Sequence, residues 1–314
     1  GYGVNQPYIC PIIFSMDLSR SATLDAAPFL NWGDFKEITK ARLAVSVVFS
    51  ALAGYGLAVD SFIALDILLL GLGGYALVGA SNAYNQVIEY RLDALMMRTQ
   101  NRPIPAGRMS VRTALRWAII MTFVGGLSLW ALNSKTALFG LLSVVLYAGV
   151  YTPLKTKTPL AVFVGAIPGA IPFMLGWVAA TNSFGIEPGT LFMIQFFWQF
   201  PHFWALAWML DEDYQRGGFA LLPTRKKDTT SAALILIYII WMLLVAIIPV
   251  FGVTGTLSLS VSAAVIITAL GLVMGYYGVQ LFLDRSTASA KKLMLASVFY
   301  ISAVQVIYVL DRWI

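Results

Sequence analysis

Apolar runs of about 20 residues alternate with short polar segments along most of the chain, at roughly 43–60, 62–87, 114–132, 136–153, 159–179, 190–210, 230–252, 257–283 and 293–310. As a helix rising about 1.5 Å per residue, each run can cross a hydrocarbon core about 30 Å thick. A backbone in lipid must satisfy its own hydrogen bonds, which leaves helices or a closed barrel. These runs are too long and too continuous for barrel strands of about ten residues. The pattern predicts an all-α integral membrane protein with nine transmembrane helices. Gly165, Pro168, Gly169, Pro172 and Gly176 interrupt the fifth run. Small residues there permit close helix contact, and neighbouring helices re-satisfy the backbone.

Composition agrees: 59% of the 314 residues are hydrophobic and 11% are charged, with a mean hydropathy of +0.78. The single cysteine, Cys10, excludes a disulfide framework or thiolate cluster, and the single histidine, His202, excludes a multi-histidine metal centre. Neither a P-loop nor a G-x-S-x-G or H-E-x-x-H motif occurs.

The net charge of +6 is explained by topology. With nine spans, 19 Lys and Arg residues fall on one side and only Lys135 and Arg312 on the other. Such asymmetry marks the cytoplasmic side, or the matrix side in an organelle. The N-terminus is therefore expected there and the C-terminus opposite, in a bacterial inner (plasma) membrane. Nucleic acid is not an expected partner; membrane lipid is. Residues 1–35 read as a peripheral extension and 36–314 as one transmembrane domain. The Tyr8–Phe14 patch, broken by Pro11, is too short to span and lacks the basic flank of a signal peptide. Phe35–Arg42 reads as an amphipathic lead-in to the first span.

Candidate chemistry lies where the second span meets a basic segment. Asn85, Glu89 and Asp93 follow steps of four, which on a helix stacks them on one face at intervals of roughly 6 Å. Oxygen ligands so spaced suit a hard cation such as Mg²⁺. Arg98 and Arg102 follow and suit phosphate groups. A second acidic loop, Asp211-Glu212-Asp213, falls on the same side four spans later. The two loops could clamp a diphosphate between metal ions. Alternatively, Glu89 with Arg102 and Asp93 with Arg98 are ordinary surface pairs worth little.

The sixth span carries a polar stripe, with Gln195, Gln199 and His202 sharing one helical face. Polar groups at membrane depth face a cavity or a partner helix. Interhelical hydrogen bonding alone could account for the glutamines. His202 could ligate haem iron, donate a hydrogen bond to a substrate, or pack. Aromatic residues crowd the same segment, from Phe196 to Trp208; most suit packing, and a few could stabilise a cation in a cavity.

The stretch from Asn85 to Pro103 resembles the first acidic motif of the membrane prenyltransferases, and its Arg98-Thr99-x-x-Arg102-Pro103 tail resembles the branch of that family that farnesylates haem. The segment Tyr151-Thr152-Pro-Leu-Lys155-Thr-Lys157-Thr158-Pro159 and the block Trp198-Gln199-Phe-Pro201-His202-Phe203-Trp204, followed by Asp213-Tyr214 and Leu222-Pro223, resemble the branch of that family that farnesylates haem. The likeness covers about residues 36–310. Four positions depart from the family pattern: Glu89 replaces a usual Asp, Arg91 a further acid of some members, Thr156 a basic residue, and Gly217 a second Asp.

The resemblance implies a helical prenyltransferase bundle with a central cavity open to the cytoplasmic side. It implies Mg²⁺ as cofactor, held by Asn85, Glu89, Asp93 and Asp213, with Arg98, Arg102, Lys155 and Lys157 binding the diphosphate. It places Gln195, Gln199, His202, Tyr151 and Trp204 at a haem pocket. Farnesyl diphosphate and haem b are the implied substrates and haem O the product, destined for haem-copper oxidases. Other haem-synthesis or oxidase-assembly proteins are implied partners. A prenyltransferase of an aromatic quinone precursor, or a haem carrier without chemistry, are the alternatives.

Overall fold

The structure is a computed structural model that describes residues 31–314. Tyr8–Phe14, Cys10, Arg20 and most of the extension drawn over residues 1–35 lie outside the described residues. Short α1 (Trp32–Ile38) runs through position 35, where that extension was drawn to end. Lys40, at φ +48°, turns the chain into α2 (Ala41–Ala58). Then come α3 (Ala64–Asp93) and α4 (Val111–Leu132). Next is a span of three parts: α5 (Ser134–Val144), a π-helical stretch Val145–Tyr151, and α6 (Thr152–Leu154). After it come α7 (Ala161–Thr181), α8 (Ile186–Met209) and short α9 (Asp211–Arg216). The last three are α10 (Thr229–Ile247), α11 (Val261–Asp284) and α12 (Thr287–Trp313).

Among the described residues, eight spans are long and apolar enough to cross a membrane. The nine apolar runs of the sequence correspond to these eight and to α8. Although 24 residues long, α8 is outside the apolar set because its polar stripe and Trp-rich segment lower its hydropathy. The protein is thus an all-helical integral membrane protein. Most spans begin where a polar side chain takes an unpaired N–H of the first turn. Ser110, Asn133, Asp228, Ser260 and Ser286 do this for α4, α5, α10, α11 and α12.

Lipid offers helices no hydrophobic reason to associate, so contact depends on close backbone approach. At the α2–α7 crossing, a Cβ on Gly176 would lie 1.8 Å from the carbonyl oxygen of Ala51, and one on Gly54 would lie 2.0 Å from that of Phe173. Only glycine fits there. Helix α8 packs against α7, α10 and α12, and α3 against α2 and α4. Between α2, α3, α5, α7, α8 and α12 lies a partly open cavity of about 230 Å³.

Candidate active site

The last turns of α3 bury Asn85, Glu89 and Asp93, at 2%, 4% and 1% exposure. The four-residue spacing aligns them, but their bonds differ. Asn85 Nδ2 donates to Glu89 Oε2 at 2.7 Å and to Thr152 Oγ1 at 3.1 Å. Its oxygen is the atom it can offer a ligand. Lys155 Nζ lies 2.6 Å from Glu89 Oε1 and 2.8 Å from Oε2. Arg102 donates to Asp93 Oδ2 at 2.7 Å. The carboxylates therefore pair as Glu89–Lys155 and Asp93–Arg102, both buried, and not in either surface arrangement that the sequence suggested.

Each pair spans separate elements. The π-helical stretch, an insertion frequent at functional sites, delivers Thr152 and Lys155. Thr152 Oγ1 donates back to the carbonyl of Tyr147 at 2.8 Å while accepting from Asn85. Lys155 Nζ stands 5.0 Å from the centroid of the Tyr151 ring and 5.2 Å from that of Phe219. Burial lowers the Lys155 pKa against the upward pull of Glu89.

Asp93 Oδ1 is buried and accepts no hydrogen bond, and Glu89 Oε1 has no well-directed donor beyond the Lys155 charge. Leaving an ionised oxygen so placed is costly. Two carboxylates and an amide oxygen stacked on one face of α3 are hard donors of the kind that suits Mg²⁺.

Asp213 lies apart. Its Oδ1 accepts from the backbone N–H of Met97 at 2.7 Å and its Oδ2 from that of Arg98 at 3.2 Å. It thus pins the 94–99 segment to α9. Among the described residues, no group of three or more Asp, Glu, His or Cys side chains is gathered for a metal. The four-ligand set that includes Asp213 is therefore not assembled here. Arg98 and Lys157 are exposed. Only the backbone of Arg98 meets Asp213, and the carbonyl of Lys157 accepts from Arg225.

Sequence reasoning missed one cation. Lys40 has a non-glycine left-handed backbone, uncommon and usually held by its surroundings. Here Asn82 Nδ2 donates to the carbonyl of Thr39 at 3.2 Å, and Gln86 Nε2 to that of Ile38 at 2.9 Å. Arg108, in the loop between α3 and α4, ties that loop to α1 through Asp34 and Glu37 at 2.8 Å each. The corner so fixed brings Lys40 within electrostatic reach of Arg102, Lys155 and Glu89. Burial first, then the Arg102 and Lys155 charges, push its pKa down to about 7. The available signal was Asn82 and Gln86 themselves, two amides inside an apolar run.

The cavity is lined by Gln195, Gln199 and His202 as the polar stripe suggested, together with Tyr147, Trp198 and Gln305. Gln305 Nε2 donates to Gln195 Oε1 at 3.1 Å and to Ser50 Oγ at 3.0 Å, so Gln195 does bridge helices. Trp204 is not on the lining. It packs against Phe200 and Tyr238, with ring centroids 5.3 and 5.0 Å away. Tyr151 is also off the lining. Tyr147 takes that place, 5.2 Å from the Tyr151 ring, so one ring contact joins the cavity to the charged cluster.

The fold and site are those of a helical membrane bundle in which a buried polar cluster lies beside a largely apolar cavity. The chain belongs to the UbiA prenyltransferase family, whose model matches residues 47–304. It is 61% identical to a "Protoheme IX farnesyltransferase" of Christiangramia forsetii, covering 90% of this chain and 94% of that protein. It is 59% identical to a protein of the same name from Flavobacterium psychrophilum, covering 90% and 95%. A UbiA homologue from Archaeoglobus fulgidus bound to GPP and Mg²⁺ shares the fold, with a TM-score of 0.60, 16% identity and coverage of 88% and 99%.

Proposed function

We propose that the protein transfers the farnesyl group of farnesyl diphosphate to a vinyl group of haem b, with addition of water, giving haem O. The observation that carries this reading is the 61% identity to a protoheme IX farnesyltransferase over 94% of that protein's length. The cluster and cavity suit the two ends of a prenyl diphosphate.

Asn85, Glu89 and Asp93 would hold Mg²⁺, which when bound offsets the diphosphate charge; use of a divalent metal is supported by the UbiA homologue bound to GPP and Mg²⁺. Lys40, with Arg102 and Lys155 in electrostatic reach, would join them in taking charge on the departing oxygens, and Arg98, Lys157 and Asp213 would assist from the neighbouring segments. The farnesyl C–O bond breaks and the diphosphate leaves with the pair. The vinyl π electrons form the new C–C bond. Water then adds to the carbon beside the porphyrin ring and loses a proton. Trp198, Tyr147 and their neighbours keep bulk water from the allylic cation.

All nine long helices, α8 included, span the membrane in this reading. The charged cluster faces the cytoplasm of a bacterial inner membrane, because the Lys and Arg excess lies at that end. The test is incubation of purified protein with haem b, farnesyl diphosphate and Mg²⁺, followed by mass spectrometry. The farnesylated hydroxyethyl haem is expected. Well-folded protein that instead prenylates a quinone precursor, or that binds haem without releasing diphosphate, overturns the reading.

A further inference from the structure

His202 plays no part in the diphosphate chemistry, yet it stands on the cavity wall under an unusual set of restraints. Helix α8 sends two side chains, Trp198 and His202, to a single residue of α12. Trp198 Nε1 donates to the carbonyl oxygen of Ser297 at 2.6 Å, and His202 Nδ1 lies 2.9 Å from Ser297 Oγ. The indole and imidazole rings stack, with centroids 4.6 Å apart and planes inclined by 17°. Ser297 is fully buried.

These contacts fix the imidazole tautomer. Ser297 Oγ also lies 2.6 Å from the carbonyl oxygen of Met294. Two oxygens at that distance repel unless a proton lies between them, so the single hydroxyl proton of Ser297 is committed to Met294. The hydroxyl can then only accept from His202. Nδ1 therefore carries the proton and Nε2 the bare lone pair. No hydrogen bond reaches Nε2 among the described residues, and the residue is half-buried on the lining of the cavity.

A neutral imidazole with Nδ1–H tied to an acceptor and Nε2 free is the usual arrangement of a metal-ligating histidine. The bond at Nδ1 sets the ring orientation and raises the basicity of Nε2. A histidine meant to donate to a substrate would need the other tautomer, and one meant only to pack would leave a polar atom unsatisfied at membrane depth.

We propose that His202 Nε2 is an axial ligand of the haem iron and that Ser297 is its positioning residue. The proposal rests on the haem reading above and makes the iron the anchor that presents the porphyrin edge to the farnesyl donor. The Ser297 hydroxyl, through Nδ1, tunes the Fe–N bond without touching haem.

The test uses the purified full chain in detergent. Haem retention is measured by gel filtration and ligation by absorption and resonance Raman spectra of ferrous haem. Wild type is expected to retain haem with an iron–histidine stretch. His202→Gly should lose that stretch and regain it on addition of imidazole. Ser297→Ala should retain haem but shift the stretch to lower frequency, a change that a packing role for Ser297 would not produce. Ser297→Asp, with a stronger acceptor, should shift it higher. Haem retained by His202→Gly with the wild-type spectrum overturns the ligation proposal and leaves the haem reading standing. Wild type that retains no haem overturns the haem reading itself. Should the glycine variant fail to elute as folded protein, the Ser297 pair decides, and an unmoved stretch in both variants overturns the positioning role.

Discussion

Lys155 Nζ lies 2.6 and 2.8 Å from the two carboxylate oxygens of Glu89, with both side chains under a tenth exposed. This pair binds the end of α3 to the end of the π-bulged span. It also keeps a cation beside an acid that has capacity left for a metal. Removing one partner of a buried pair strands the other charge, whereas replacing both with apolar groups need not destabilise.

Lys155→Ala is therefore expected to lose about 3–5 kcal/mol of stability, read as a lower thermal midpoint in detergent, together with turnover. The double variant Lys155→Met with Glu89→Leu should regain most of the midpoint and none of the turnover. Recovery of both would assign the pair to structure alone.

Asp93→Asn keeps the shape of the side chain and removes its charge. Arg102 then loses its partner and the orphaned Oδ1 its anionic character. Turnover should fall by roughly 100-fold or more, in the range seen when one preorganised charge contact is lost at a reacting centre. Chelation of Mg²⁺ should stop wild-type turnover reversibly. A kcat for Asp93→Asn within a few-fold of wild type removes Asp93 from the site.

Lys40 gives a pH signature. Its pKa is lowered from 10.5 to about 7 by burial and by the Arg102 and Lys155 charges. Above that pH the free enzyme holds Lys40 neutral, and an arriving diphosphate must draw a proton onto it. KM for farnesyl diphosphate should thus rise as pH increases through about 7. Lys40→Arg, which stays charged, should flatten the profile. The stability sign is opposite. Between about 7 and 10.5 the unfolded chain binds the extra proton, so this group makes folding more favourable as pH rises across that window. Pyrophosphate binding measured against pH in both proteins checks the first effect.

The α2–α7 crossing separates glycines by position. Gly176→Ala forces a methyl group into the carbonyl of Ala51, 1.8 Å away, whereas a Cβ on Gly189 meets nothing within 4 Å. The first variant should fail to yield a monodisperse species. Gly189→Ala should be neutral or stabilising by up to about 1 kcal/mol, since it sits within a helix. Size-exclusion profiles and thermal midpoints compare them.

The spans were legible because a membrane enforces helices of a set length. The steps from Asn85 to Asp93 revealed a shared face. Partner choice was not legible: Lys155 reaches Glu89 only because a π-helical stretch rotates the end of its span, and no spacing rule announces that turn. Asp213 read as a ligand from its acidic loop and the family resemblance; that it also accepts from two backbone N–H groups of the facing loop was not legible. Trp204 and Trp198 lie in one aromatic block, and only packing against α10 and α12 decides which one lines the cavity. Lys40 depends on a left-handed corner set by Asn82 and Gln86, a long-range effect.

A competition assay tests the acceptor most directly. Equimolar haem b and an aromatic quinone precursor are offered together with farnesyl diphosphate and Mg²⁺, and products are resolved by mass. The expected result is hydroxyethylfarnesyl haem from wild type, no prenylated quinone precursor, and neither product from Asp93→Asn. Prenylated quinone precursor as the main product, or equal haem farnesylation by Asp93→Asn, would contradict the proposed reaction at this site.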